Sequence, residues 1–150
     1  MVSKKFLVRS FDSNDLVRIL EIEQKAHVNP WSREFFSKQL DNSAHVLLGE
    51  QDGQITGYLV YQKILDEAEI LNLVTAVEQE NQGCASLLLS HFLEMLETSR
   101  VKRVYLEVAS DNLAAIALYT RDLFESNGIR KDYYQRNNGR CDAILMSRNL

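Results

Sequence analysis

The chain is poor in the residues that cross-link a fold or break it up: among its 150 residues are two cysteines, one proline and six glycines. Cys84 and Cys141 are far apart in sequence, and neither belongs to a Cys-x-x-Cys pair or to a His-containing cluster at ligand spacing. A disulfide framework and a structural metal are therefore not expected, and the pattern suits a reducing compartment. The three histidines, His27, His45 and His91, are equally scattered and read as surface or core-edge residues. No stretch reads as a linker, a low-complexity tract or an internal repeat. No run is apolar and long enough for a signal peptide or a membrane span, so a cytoplasmic location without a membrane partner is expected. Positive charge is also short. Seventeen Lys and Arg face twenty-one Asp and Glu, a net charge of −4, which argues against a general nucleic-acid binder and suits a cationic partner.

What remains is an ordinary globular composition, 45% hydrophobic and 25% charged. A chain of this length reads as one domain, residues 1–150, able to bury roughly 70% of its unfolded surface. Its most informative stretch is a strand, a turn and a helix. Glu69-Ile70-Leu71-Asn72-Leu73-Val74-Thr75 reads as an apolar strand, and Glu80-Asn81-Gln82-Gly83-Cys84-Ala85-Ser86 as a turn of small and polar residues. Ala85, Leu88, Leu89, Phe92, Leu93 and Leu96 then recur at the spacing of one helical face. A turn of this kind gathers unpaired N–H groups and the positive end of a helix dipole at one point, which suits a diphosphate. The same pattern also serves as a plain connection in an α/β domain, and one glycine does not decide between the two.

Elsewhere the pattern is legible element by element. Phe6-Leu7-Val8-Arg9 opens with a strand, and Asp12 to Asp15 supply cap chemistry for a helix carrying Leu16, Ile19 and Leu20 and running to about His27. Pro30 forces a break. Ser32 caps a second helix, with Trp31 before it and Phe36 after it at the spacing of a hydrophobic staple. Asp52-Gly53 marks a hairpin turn between strands at His45–Leu48 and Ile55–Tyr61. Arg103 to Val108 alternates, with Val104, Leu106 and Val108 on one face and Arg103, Tyr105 and Glu107 on the other. Ser110-Asp111-Asn112 caps a helix carrying Ala114, Ala117 and Leu118, and Asn137-Asn138-Gly139 turns a closing hairpin. Three antiparallel strands in a row followed by a helix argue for a mixed sheet.

Several of these stretches resemble the GNAT superfamily of N-acetyltransferases and, within it, the RimI type. They are the loop around Gly83, Glu23-Gln24-Lys25-Ala26-His27 followed by Pro30-Trp31-Ser32, Leu65-Asp66-Glu67-Ala68, Leu106-Glu107-Val108, Asn112 to Tyr119, Asp132-Tyr133-Tyr134, and Gly139 to Met146. The resemblance implies a mixed α/β fold (α+β), with a central, mostly antiparallel sheet of about seven strands flanked by about four helices. It implies acetyl-CoA as cosubstrate, no metal, and transfer to the N-terminal α-amine, of alanine in this type, of a small-subunit ribosomal protein. The partner would be a basic N-terminal peptide, with no direct nucleic-acid contact, and the enzyme a monomer or weak dimer.

The same resemblance implies site residues. Glu107, by its residue pattern either a solvated carboxylate or a base, becomes the base that takes the ammonium proton. Tyr119 becomes the acid that protonates the departing thiolate, instead of a packing aromatic. Leu73, Val74 and Thr75 would run beside the pantetheine arm where the strand splays, and Asn81, Gln82, Gly83, Cys84, Ala85 and Ser86 would cradle the diphosphate. Asn112 would bind the cofactor as well as cap its helix, and Trp31, Tyr133 and Tyr134 would line the acceptor groove. Departures stand beside the matches. Glu80 replaces the usual Arg or Gln, Cys84-Ala85-Ser86 the common Leu-Gly-Arg, Leu123-Phe124 a Gly-Phe, and Ala76-Val77-Glu78-Gln79 lacks an Asp-Pro. An anionic Glu80 and a missing cation at Ser86 are expected to weaken cofactor binding. Two other readings stay open: acetylation of a small amine or another N-terminus, and a non-catalytic acetyl-CoA-binding module.

Overall fold

The computed structural model describes residues 5–80 and 82–150. Seven strands form one sheet: β1 (Phe6–Ser10), β2 (His45–Gln51), β3 (Gln54–Ile64), β4 (Glu67–Thr75), β5 (Arg103–Ala109), β6 (Glu125–Arg136) and β7 (Gly139–Asn149). Their spatial order is β1-β2-β3-β4-β5-β7-β6, and only β4 and β5 run parallel. Four helices accompany them: α1 (Leu16–Ala26), α2 (Arg33–Asp41), α3 (Cys84–Glu97) and α4 (Leu113–Arg121). The mixed, mostly antiparallel sheet with four helices matches the expected architecture.

Local chemistry accounts for most boundaries. Asp12 and Asp15 form a reciprocal capping box ahead of α1, and α1 ends at the extended residue His27. The Ser32 hydroxyl accepts from Phe35 N–H at 3.1 Å, and the Trp31 ring meets Phe36 edge-on at 5.5 Å, so the staple forms as the spacing predicts. Asp52 and Gly53 both take positive φ, 53° and 83°, in the two-residue turn joining β2 to β3.

Two apolar clusters cover the two faces of the sheet. On one, α3 contributes Leu88, Leu89, Phe92, Leu93 and Leu96 against Val104, Leu106 and Val108 of β5. On the other, α1 and α2 contribute Ile19, Ile22 and Phe36 against Val46, Leu48, Tyr58 and Val60. The stripe on α3 differs from expectation at its start: Cys84 is buried and Ala85 only half so. On α4 the inward face is Leu118 and Tyr119 with Ala115 and Ile116 partly buried, whereas Ala114 and Ala117 are exposed.

Two features shape the site. In the β3–β4 pairing, Val60 faces Asn72 but Tyr61 faces Ile70, leaving Leu71 as the extra residue of a bulge. Beyond that bulge β4 leaves its parallel neighbour: β4–β5 pairing covers only Glu67–Ile70 against Arg103–Leu106, although the strands continue to Thr75 and Ala109. The sheet splits there, and β5 stays attached to β7 through Glu107, Val108 and Ala109. The N-terminus of α3 is seated on the β4 side of the split by glycine. A Cβ at Gly57 would lie 2.6 Å from the Val74 carbonyl oxygen and 2.7 Å from Cys84 Sγ, so only glycine allows this approach.

Candidate active site

The split opens a cleft with two halves. One, of about 380 Å³, lies between Leu73–Thr75 of β4, the start of α3 and the inner face of α4. Gly83 precedes α3 in the left-handed region, φ 86°, which turns the chain so that the first N–H groups of the helix point outward. Among the described residues no side chain caps this terminus. Its free donors and the dipole therefore face a cavity walled by Gly83, Cys84, Ala85 and Ser86.

Within this group the roles divide. The Cys84 side chain turns into the core, its Sγ 3.4 Å from Thr56 Oγ1, and burial pushes the thiol up, so Cys84 offers the cleft backbone only. Gln82 is exposed and takes no part in the cavity wall, and Asn81 lies outside the described residues. Asn112 caps α4, its Oδ1 accepting from Ala115 N–H at 3.2 Å, and also borders the cavity. Two charged side chains line this half, Glu80 and Arg121.

The other half, of about 230 Å³, contains Glu107, Tyr119, Tyr134 and Trp31. The Glu107 carboxylate lies on the β5 face opposite Leu106 and Val108 and forms an ion pair with Arg130, its oxygen 2.8 Å from Nη2. Tyr119 is 5% exposed, its ring edge-on to Phe124 at 5.5 Å. Burial, with Tyr134 contributing next, raises its phenol well above the ordinary value. Tyr134 donates to the Glu107 carbonyl oxygen at 3.4 Å and is pushed up to about 12, first by burial and then by the Glu107 charge. Tyr133 stands apart: it is exposed, stacks under the Arg130 guanidinium at 5.1 Å and lines neither half.

Leu73, Asn112, Ala115 and Tyr119 wall both halves, so the two are one continuous cleft with Tyr119 at the junction. The structure thus brings together twelve of the expected residues and leaves Tyr133 and Gln82 aside, while Asn81 lies outside the described residues.

Some residues in the cleft escape a reading of the sequence. Glu23 is 1% exposed and borders the smaller half together with Asn72. The signal was present: Leu16, Ile19 and Glu23 fall at i, i+3 and i+7, which places the carboxylate on the apolar face of α1. Arg130 and Arg121 leave no such mark, because the first matters through its ion pair with Glu107 of another strand and the second through its place on the wall of the larger half. Glu69 is half-buried, and burial followed by the Glu107 charge raises its carboxyl above the usual range.

Comparison with known proteins shows the family and the fold. The sequence profile described as the Acetyltransferase (GNAT) family matches residues 16–123. The ribosomal protein bS18-alanine N-acetyltransferase of Escherichia coli K12 is 35% identical over 140 residues, 93% of this chain and 95% of that protein. The crystal structure of the Escherichia coli ribosomal-protein-S18-alanine N-acetyltransferase superposes with a TM-score of 0.92 at 34% identity, covering 97% of this chain and 94% of the other. A GNAT family acetyltransferase from Elizabethkingia anophelis with acetyl-CoA bound shares the fold, with a TM-score of 0.79 at 20% identity over 97% and 98% of the two chains.

Proposed function

The chain belongs to the GNAT acetyltransferase family, and from that premise we propose that it transfers acetyl from acetyl-CoA to the N-terminal α-amine of a small-subunit ribosomal protein. Residues 1–150 act as one N-acetyltransferase domain in the cytoplasm, by direct transfer within a ternary complex. The observation that carries this reading is the single cleft in which Glu107 and Tyr119 border the same space where β4 and β5 part.

The larger half fits the nucleotide-linked thioester. The uncapped N–H groups from Cys84 to Ser86 suit its diphosphate, and the β4 edge beyond Ile70, which lacks its strand neighbour, suits the pantetheine amides. Such backbone donors do not depend on side-chain charge, which accommodates Glu80 and Ser86 in a loop where the resemblance leads one to expect Arg or Gln at the first position and Arg at the last. Arg121, across the cavity, supplies positive charge from α4 instead.

Glu107 removes the ammonium proton, directly or through a water, and the neutral nitrogen forms its bond to the thioester carbonyl carbon. Tyr119 then donates its proton to the sulfur as the C–S bond breaks, and the second proton that the adduct nitrogen sheds on becoming an amide restores the Tyr119 phenol. An unperturbed phenol near 10 gives its proton to a thiolate near 8.5 against a gradient of about 1.5 units, and the raised Tyr119 value steepens it. That transfer is driven by collapse of the tetrahedral adduct. The high pKa has a benefit, since it keeps Tyr119 in its donor form throughout the working pH range.

Magnitude favours an α-amine over lysine. An amine of pKa about 7.7–8.0 is roughly 10–20% neutral at pH 7, against about 0.04% for lysine near 10.4. The difference of a few hundredfold corresponds to about 3.5 kcal/mol that a site with one modest base need not supply. The acceptor side carries Glu69 and Glu107, which suits a basic peptide.

The test is incubation with acetyl-CoA and a panel of N-terminal peptides, following thiol release and locating the acetyl group by mass spectrometry. Turnover on an alanine-starting basic peptide supports the proposal. Turnover confined to free small amines, or tight acetyl-CoA binding without turnover on any amine, would refute it.

A further inference from the structure

Glu23 is a charged side chain on a helix, almost wholly buried, and the chemistry above does not use it. Its Oε1 accepts from Asn72 Nδ2 at 3.0 Å and from the Tyr58 hydroxyl, and its Oε2 accepts from the Trp31 backbone N–H at 3.0 Å. His27 Nε2 stands 3.6 Å from Oε1. The donors come from three places: β3, the residue just past the Leu71 bulge in β4, and the segment between α1 and α2. Glu23, Trp31 and Asn72 border the same half of the cleft.

A carboxylate at a position that Leu or Met would fill is unfavourable unless its lone pairs are used. Here three hydrogen bonds use them, and each ties down something that a hydrophobic side chain could not hold. The segment from His27 to Ser32 has no regular structure, and Pro30 prevents it from continuing α1. Packing on Phe35 and Phe36, at centroid distances of 5.0 and 5.5 Å, fixes the Trp31 ring, and Glu23 fixes its backbone. The hydrogen bond to Asn72 joins that segment to the strand that bends away from β5.

We infer that Glu23 is a positioning residue: it clamps the Trp31 segment to the bulge in β4 and thereby sets the groove that receives the protein N-terminus. The inference rests on the acceptor assignment proposed above.

The chain has a single tryptophan, so its intrinsic emission reports on this segment directly. In the full-length protein, Glu23→Met is compared with Glu23→Gln. The Gln amide can satisfy the same three partners once the Asn72 amide is flipped, whereas Met can satisfy none. Glu23→Met is expected to red-shift Trp31 emission and increase its quenching by acrylamide. With an alanine-starting basic peptide as acceptor, it should raise peptide KM roughly tenfold while kcat and acetyl-CoA KM stay within about threefold. Glu23→Gln should restore most of both signals.

A Gln variant as impaired as Met, with the loss in kcat, would mean that Glu23 acts by charge or proton transfer, and would overturn the clamp. Unshifted emission in the Met variant would overturn it too. If Glu23→Met does not fold, the wild-type protein decides: the peptide must change Trp31 emission saturably, and a flat titration refutes the inference. Wild-type protein that turns over no N-terminal peptide would refute the acceptor assignment, while the emission of the free Gln and Met variants still decides whether the clamp exists.

Discussion

Gly57→Ala should damage the cofactor half of the cleft from a position that touches no ligand. The added methyl would meet the Val74 carbonyl oxygen at 2.6 Å and Cys84 Sγ at 2.7 Å, with Thr75 Cα at 3.4 Å. The sulfur can move, but the carbonyl belongs to β4, whose opposite edge borders the cavity along Leu73–Thr75. Relief therefore requires displacing β4, the first residue of α3, or both, and these are the two walls proposed to hold the pantetheine and the diphosphate. Overpacking of this kind costs about 1–3 kcal/mol. For a chain of this size that lowers Tm by about 2–10 °C. Acetyl-CoA KM should rise roughly three- to tenfold while peptide KM changes by less than about twofold, since the acceptor half meets β4 at Ile70–Leu73, short of Val74, and its other walls belong to β5, α1, α4 and the Trp31 segment. Adding Cys84→Ala removes the movable obstacle and not the fixed one, so it should recover only part of the loss. Differential scanning fluorimetry with two-substrate kinetics reads all of this. An unchanged Tm with unchanged acetyl-CoA KM, or a loss shared equally by both substrates, would refute the reasoning.

Other expectations follow from the site. Tyr119→Phe should lower kcat by about a hundredfold with acetyl-CoA affinity within about threefold, measured by steady-state kinetics and calorimetry. Unchanged turnover would remove it as the acid. Glu80→Gln should tighten and Arg121→Ala weaken acetyl-CoA binding, each roughly two- to fivefold at low salt and less at high salt. Because burial raises Tyr119 and Tyr134, neither loses its proton on an ordinary tyrosine schedule. The pH profile of kcat/KM should therefore rise as the acceptor amine deprotonates, between about pH 7 and 8.5, and show no descending limb below about pH 10.

Much of this was legible in the sequence because it is local. The α3 stripe, the Asp52-Gly53 turn, the Ser32 cap with its Trp31–Phe36 staple, and the alternation that exposes Glu107 depend on residues within a few positions of one another. The features that make the cleft do not. The Leu71 bulge arises in the register of β3 against β4, and the loss of pairing after Ile70 in that of β4 against β5, whose partners are more than thirty residues apart; no propensity encodes either. Insertion of β7 between β5 and β6, which puts Arg130 against Glu107, is likewise a property of the finished sheet. Glu23 was hidden for another reason. Its charge suggested a solvated face, and only its partners on β3, β4 and the α1–α2 segment make burial tolerable. On α4 the exposure of Ala114 and Ala117 is likewise not legible, since small size says little about which side of a short helix faces inward.

The most direct test of the whole account is a crystal structure with coenzyme A linked to an alanine-starting peptide. The account predicts the diphosphate on the backbone from Gly83 to Ser86, the sulfur beside the Tyr119 hydroxyl, and the acceptor nitrogen within direct or one-water reach of the Glu107 carboxylate, with Arg130 displaced or shifted. Density for the ligand outside the gap between β4 and β5, or inside it with the nitrogen remote from Glu107, would contradict it.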